Sequence, residues 1–487
     1  MRSCFFLLFL VLAVVSCGPS RTLSRSARKG LLAEMDRAGA HTGITLYEPA
    51  TGRYWYDHDG DKYFVPASNV KIATCYAALK YLGDSLPGIK YGYSEAGDPN
   101  SVILALQPTG DPTLMHRDFP RQPVLDFLLQ QSKSYKDRMA VLDTAWKDRP
   151  WGRGWAWEDY DAGFMPEKSS LPVYGNVMRV SVNPLSDRQI TDTVAPQLNY
   201  VRLFKTQDRL FDTLLNERYY LISRENLLAP KPHLRIRRGL SGNTISFEET
   251  KNEFSDLSLP FVTNGSSTAL WILSDTLKTQ LGLLNKVSHE GAADRYRYFG
   301  ADAKISTLGI PSWSVLHSRP TDSLLRPMMH QSDNFFAEQS LLMVSNRLRG
   351  VMNGESAIDT LLQADFRDLP QKPRWVDGSG LSRYNLFTPR DLVTILDKMQ
   401  REFGMARLKT LFPTGGEGTL GSAFLQDSGS LFAKTGSLSG IVALSGYLYT
   451  RKGRLLLFSV LVNNHMTTGT AVRGAVAQFL QQVRQRY

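Results

Sequence analysis

An apolar run from Phe5 to Val15 opens the chain behind a single basic residue, Arg2. It is shorter than the roughly 20 apolar residues that a membrane-spanning helix needs, and it has the length and flanks of a secretory signal. Ser26 to Ala38 then reads as a helix. Thr42 to Tyr47 and Arg53 to Tyr56 read as a hairpin turning at Pro49-Ala50-Thr51-Gly52. Asn69 to Leu82 is apolar on nearly every face, which predicts a helix buried in the middle of a domain, stopped by Gly83-Asp84 and Pro87. Residues 91–284 change texture to short strand-like runs, turns and aromatics, including the Trp-rich stretch Trp146 to Trp157, read as packing aromatics. From residue 285 helices and strands alternate. Asn334 to Leu348 predicts a helix ended by Gly350, and Pro389 to Glu402 a helix with Thr388 as N-cap. Ser430 to Lys434, Val442 to Tyr449 and Leu455 to Val462 predict strands, with Arg451-Lys452-Gly453 turning between the last two, and Val472 to Gln485 a closing helix.

The chain has 487 residues, enough for about two or three domains. Its three cysteines change the picture at the N-terminus. Cys4 leaves with the signal, read as residues 1–16. Val14-Val15-Ser16-Cys17 resembles a lipobox, in which a small residue permits cleavage and Cys17 then carries a lipid, with residues 17–25 as a tether beginning Gly18-Pro19-Ser20. The expected location is the periplasmic side of the cell envelope, held to a membrane by that lipid. Cys75 is then alone, which excludes an internal disulfide and marks it as a buried small hydrophobe. The net charge of +11 is spread along the chain, the densest patch being Arg235-Ile236-Arg237-Arg238. A dispersed positive surface suits an anionic envelope rather than nucleic acid.

Metal chemistry finds little support. Asp57-His58-Asp59-Gly60-Asp61 looks like a calcium loop, yet Ser68 stands where the closing Glu would be, so a polar turn is expected. His289-Glu290 lacks the partner histidine of a zinc peptidase, because Ala293 stands there.

The chemistry-bearing residues fall in three groups. Ser68-Asn69-Val70-Lys71 sits at the start of the buried helix, where positions i and i+3 share a face. A serine hydroxyl becomes a nucleophile when a base takes its proton. A lysine can be that base if burial, or a second cation such as Lys434, lowers its pKa. Ser332-Asp333-Asn334 precedes the next clear helix; Ser332 could relay a proton to a leaving amine, and Asn334 could hold a substrate carbonyl and the lysine together. Lys434-Thr435-Gly436-Ser437 lies at the end of a predicted strand. There Gly436 allows close backbone approach, and Lys434 with the hydroxyls of Thr435 and Ser437 could bind a carboxylate. The backbone N–H groups of Ser68 and Ser437 could form an oxyanion hole. Each pattern alone has a bland counterpart: an N-capping serine, an ordinary helix cap, an edge-strand turn. Their conjunction, in this order and on these elements, carries the weight.

With these residues in view, the chain resembles a class-C low-molecular-mass penicillin-binding protein of the D-alanyl-D-alanine carboxypeptidase/endopeptidase family of serine peptidases. Further stretches share the likeness. Gly110-Asp111-Pro112-Thr113-Leu114 resembles the family's GDPTL, and Gly154-Trp155-Ala156-Trp157-Glu158-Asp159 its GW-x-W-D-D. Ser332 to Glu338 resembles SDN-x-x-AE, and Asp377-Gly378-Ser379-Gly380-Leu381-Ser382-Arg383 resembles DGSGLSR. Ser437, Glu158 and Pro108-Thr109 depart from the usual residues. The resemblance implies a multi-domain α/β fold: a serine β-lactamase/DD-peptidase-like transpeptidase domain, an antiparallel sheet flanked by helices, with a large mainly-β insertion between the first and second motifs. On that reading residues 26–90 and 285–487 form the catalytic domain and 91–284 the inserted domains. The resemblance also implies an acyl-enzyme on Ser68, no metal or cofactor, peptidoglycan stem peptides as substrates and β-lactams as acylating ligands. A β-lactamase or esterase of the same fold, or an inactive peptidoglycan-binding homologue, are the alternatives. Oligomeric state is not legible.

Overall fold

Two sequence-distant segments build the sheet that carries the candidate site. A computed structural model describes residues 19–95, 102–135, 139–182, 204–206, 233–243, 245–253, 257–280, 296–299 and 309–487. The expected signal segment 1–16 and Cys17 lie outside the described residues. The chain divides into two units, Met1–Asp84 with Thr321–Val344 and Gly354–Tyr487, and Ser85–Pro320 with Ser345–Asn353. These crossings replace the expected ones at 90/91 and 284/285. The reason is pairing: the strands Ser85–Tyr93 and Ser314–Pro320 run antiparallel to each other, so both ends of the insert belong to its own sheet.

In the first unit the hairpin His41–Glu48/Arg53–His58 joins the strands Leu431–Leu438, Ile441–Tyr449 and Leu455–Asn463. Read from the edge, the order is Leu431–Leu438, Ile441–Tyr449, Leu455–Asn463, His41–Glu48, Arg53–His58, all antiparallel. The two strands Ile441–Tyr449 and Leu455–Asn463 are buried along almost their whole length. Near-continuous apolar runs of this kind are what a sheet covered on both faces requires. One face holds Ile44, Leu46, Leu444, Phe458 and Val460 against Leu31 and Met35 of the N-terminal helix and Val476, Phe479 and Leu480 of the C-terminal helix Gly469–Arg486. The other face meets the helix Pro389–Leu411, where the Tyr447 hydroxyl donates to the Leu396 carbonyl at 2.9 Å.

Local signals explain the helix ends. Thr388 caps its helix by accepting from the Asp391 N–H, and Asp391 returns the bond to the Thr388 N–H. That helix stops where expected, just after Glu402, because Gly404 leaves the helical conformation at φ 74° and ψ 149°, and a second helix follows as far as Leu411. The N-terminal helical stretch starts at Pro19, not Ser26, and Leu23 is buried in the core, so the expected tether is helical from Pro19. The strand predicted over 430–434 extends to Leu438, because Leu438 still pairs with Ile441 across a tight turn. Lys434-Thr435-Gly436-Ser437 therefore lies inside a strand and not at its end. Asp57 takes Arg390 and the Thr45 hydroxyl as partners, and Asp59 pairs with Lys62, as a polar turn would. Among the described residues no group of three or more His, Cys, Asp or Glu is placed to hold a metal. Among them also, no helix is long and apolar enough to cross a membrane.

The second unit has its own core. A mixed sheet orders the strands Tyr296–Phe299, Met139–Leu142, Leu104–Pro108, Ser85–Tyr93 and Ser314–Pro320. Leu104, Leu106 and Val141 of that sheet share a core with Leu128 of the helix Pro123–Tyr135 and Leu273 of the helix Ser267–Gln280. Two smaller sheets complete its described strands. Within the Trp-rich stretch Trp157 is 75% exposed, so it is not a packing aromatic.

Candidate active site

The turn Ala67–Asn69 puts Ser68 at the mouth of the buried helix Val70–Tyr81. Ala67 has φ 48°, a left-handed conformation that strains a residue with a side chain. Two glycines hold that turn from either side. A Cβ at Gly380, itself at φ 84°, would lie 2.0 Å from the Ala67 carbonyl oxygen. One at Gly436 would lie 2.8 Å from the Pro66 carbonyl oxygen and 3.0 Å from Asn69 Nδ2. The nucleophile turn is thus gripped by backbone, because only glycine lets chain approach chain so closely.

Lys71 is fully buried. Its Nζ donates to Ser68 Oγ at 3.0 Å, Asn334 Oδ1 at 2.6 Å and the Ser379 carbonyl at 2.7 Å. Three acceptors match the three protons of an ammonium. Two of them, an amide and a peptide carbonyl, can only accept. When the amine is neutral its two N–H groups stay on those oxygens, and its lone pair faces Ser68 Oγ. Burial pushes Lys71 down to about 8, against the pull of Asp377, Asp333 and Glu338, which favour its charged form. At 1.36 kcal/mol per pKa unit this is roughly 3 kcal/mol toward the neutral amine, enough to leave about a tenth of it unprotonated at pH 7.

The second group comes from the entry to the helix Asn334–Arg349. Asp333 Oδ1 accepts the Phe336 N–H at 2.8 Å, so Asp333 is the helix cap, while Ser332 and Asn334 on either side face the site. Ser332 itself has φ 62°. Lys434, also fully buried, donates from Nζ to Ser332 Oγ at 2.9 Å and to the Thr435 carbonyl at 2.9 Å. Burial, reinforced by the charge of Lys71, pushes Lys434 well down from an ordinary lysine value. Burial is the largest cause at both lysines. Asn69 Nδ2 donates to the Lys434 carbonyl at 3.1 Å, which ties the nucleophile turn to this strand.

The strand Leu431–Leu438 is at the edge of its sheet. On its outer side the Ala433 N–H goes to the Pro413 carbonyl at 3.0 Å. The two-residue period of a strand puts the Thr435 and Ser437 N–H groups on that same side. Thr435 Oγ1 donates to Thr419 Oγ1 at 2.7 Å, and Ser437 is exposed. All eight expected residues, Ser68, Lys71, Ser332, Asn334, Lys434, Thr435, Gly436 and Ser437, thus lie on three elements that converge in one unit.

The sequence marks the stretch Asp377 to Arg383 only by its family likeness, and its role, completing the surroundings of the base, is seen in the structure. Asp377 is the hub of this loop: its carboxylate accepts the N–H groups of Gly380 and Ser382 and the side-chain amide of Asn385 at 2.7–2.8 Å. The loop is pinned further by the Thr74 hydroxyl on the Gly378 carbonyl at 2.7 Å. Its contribution to Lys71 is the Ser379 carbonyl, a backbone atom. The visible signal was Asp-Gly-Ser-Gly, whose two glycines mark close approaches.

The model of the D-Ala-D-Ala carboxypeptidase 3 (S13) family matches residues 29–209 and 312–483. The chain is 26% identical over 471 residues to a D-alanyl-D-alanine carboxypeptidase of an Actinomadura species, covering 90% of this chain and 81% of that protein. It is 33% identical over 178 residues to the carboxypeptidase DacB of Mycolicibacterium smegmatis, a match spanning 34% of this chain and 38% of that protein. Penicillin binding protein 4 (dacB) from Haemophilus influenzae shares the fold, with a TM-score of 0.67 at 20% identity over 93% of this chain and 98% of that one.

The close approach at Gly380 generates a test. Gly380→Ala is expected to displace the Ala67–Ser68 turn, lowering the thermal midpoint and slowing acylation by a β-lactam at least about tenfold, since a small misplacement of reacting groups costs about that or more. Wild-type acylation kinetics in the alanine variant would contradict the grip described here.

Proposed function

This chain belongs to the D-Ala-D-Ala carboxypeptidase 3 (S13) family, and from that membership we propose that it is a serine-type D-Ala-D-Ala carboxypeptidase, DD-endopeptidase or both, acting on peptidoglycan stem peptides and acylated by penicillins. The observation that carries the reading is Lys71 held between Ser68, Asn334 and Ser379. Neutral Lys71 takes the Ser68 proton as Oγ attacks the carbonyl of the penultimate D-alanine. The tetrahedral oxyanion is met by the N–H groups of Ser68 and Ser437, the latter on the open strand edge. The C–N bond breaks as Ser332, bonded to Lys434, gives its proton to the departing amine and takes in return the proton that Lys71 removed from Ser68, so that Lys71 is neutral again. Lys434 with Thr435 and Ser437 receives the terminal carboxylate; that negative charge offsets the burial that disfavours the Lys434 ammonium. Water then attacks the ester; Lys71 takes its proton and returns it to Ser68 Oγ as the bond from Oγ to the acyl carbon breaks. The open edge also lets the substrate backbone lie along the strand as an added strand would.

The N-terminal reading joins this proposal. A signal over residues 1–16 and a lipid on Cys17 would hold the enzyme on the periplasmic side of a membrane. Support comes from the apolar run Phe5–Val15 and from Val14-Val15-Ser16-Cys17. Leu23 is buried in the core only six positions after Cys17. At about 3.5 Å per residue, that keeps the domain within roughly 20 Å of the lipid.

Two outcomes check these readings. Purified muropeptides incubated with the enzyme are expected to lose their terminal D-alanine, or to split from dimers, by mass spectrometry. Ser68→Ala should lose about four orders of magnitude or more; activity retained in that variant overturns the assignment. For the anchor, the mature protein is expected to begin at an acylated Cys17, and Cys17→Ala to leave the membrane fraction. An unmodified N-terminus downstream of Cys17 would sink the lipid reading.

A further inference from the structure

Beside the reacting groups lies a buried carboxylate that the mechanism does not use. Glu338 is 3% exposed. It sits one turn beyond Asn334 on the same helix, and positions i and i+4 share a face. Its Oε1 accepts the Ser379 N–H at 2.8 Å. The other end of the same residue, the Ser379 carbonyl, accepts from Lys71 Nζ at 2.7 Å. The helix Asn334–Arg349 therefore reaches Lys71 twice, directly through Asn334 and indirectly through Glu338 and Ser379. The loop cannot lift from that helix easily, because the Gly378 Cα faces the Ala337 carbonyl so closely that a Cβ would lie 2.8 Å from it.

The Ser379 N–H needs only an acceptor, and a neutral amide would serve. A carboxylate buried there instead places negative charge near a buried cation. We propose that Glu338 is a positioning residue: through Ser379 it fixes the direction of the Lys71 amine, and its charge adds to that of Asp377 and Asp333 in helping that amine hold a proton. The proposal rests on Lys71 being the base for Ser68. Around Lys71 the charged groups are Asp377 in the loop, Asp333 at the helix cap, Glu338 on the helix and Lys434 on the strand. The three carboxylates oppose the effect of burial. A base stripped of them would be neutral more often but would bind the Ser68 proton more weakly, and efficient proton transfer needs an affinity matched to the working pH.

The test is the pH dependence of acylation by a fluorescent penicillin in wild type, Glu338→Gln and Glu338→Asp, with thermal unfolding recorded for each. Acylation needs neutral Lys71, so the rate rises as pH climbs through the Lys71 pKa. Glu338→Gln keeps an acceptor for the Ser379 N–H and removes the charge. Its rising limb is expected at lower pH, as loss of an opposite charge dictates, with a plateau several-fold reduced. Glu338→Asp keeps the charge and shortens the reach, so its limb should move less while its plateau falls. A purely structural carboxylate would scale the rate equally at every pH and leave the limb in place; that result overturns the proposal. If neither variant folds, Glu338 is structural and the proposal is abandoned. A wild type that forms no adduct at any pH would instead remove the proposed function beneath it.

Discussion

The burial of the Lys71 ammonium among three oxygen acceptors is the constraint on which the rest of the site depends. An amine of that kind costs several kcal/mol to take out of water unless each proton finds an acceptor. Here the acceptors come from three separate elements: Ser68 from the helix entry, Asn334 from a second helix, Ser379 from a loop. Lys71 is thus the point at which segments more than 250 positions apart in the chain are held in register. It is also poised chemically, because burial lowers its pKa to about 8 while the carboxylates keep it from falling further.

Strain accompanies that burial. Ala67 and Ser332 adopt φ 48° and φ 62°, conformations that cost about 1–3 kcal/mol each for residues with side chains. Both flank groups that meet the lysines. Each is over-determined from outside: the Ala67 turn by the backbones of Gly380 and Gly436, Ser332 by the Asp333 cap and by Lys434. Asn69 connects the two halves by bonding the strand that carries Lys434. A sheet buried on both faces gives this arrangement a rigid base, since its middle strands can move only with two layers of helices.

Much of this was legible in the sequence because the signals were local. The apolar helix after Ser68, the Thr388 cap, the hairpin near Pro49 and the last three strands all follow from periodicity and turn chemistry. The three motifs marked the eight residues that converge. Other features were hidden for physical reasons. Lys434-Thr435-Gly436-Ser437 reads as a strand end because glycine interrupts the pattern, yet pairing continues to Leu438. The insert begins at Ser85 because of a strand partner more than 200 positions away, a contact no local pattern shows. The third acceptor of Lys71 is a backbone carbonyl, which leaves no mark in side-chain identity. Trp157 looked like a packing aromatic and is exposed, since composition alone does not say which side of a chain faces water.

Burial, not sequence adjacency alone, makes Lys71 a base for Ser68. The most direct measurement is a titration of Lys71 by NMR in protein labelled at the lysine ε-carbon, with Lys71→Met to assign the signal. The expected transition lies near the value of about 8 that burial imposes. A transition at the ordinary lysine value of 10.5 would contradict it.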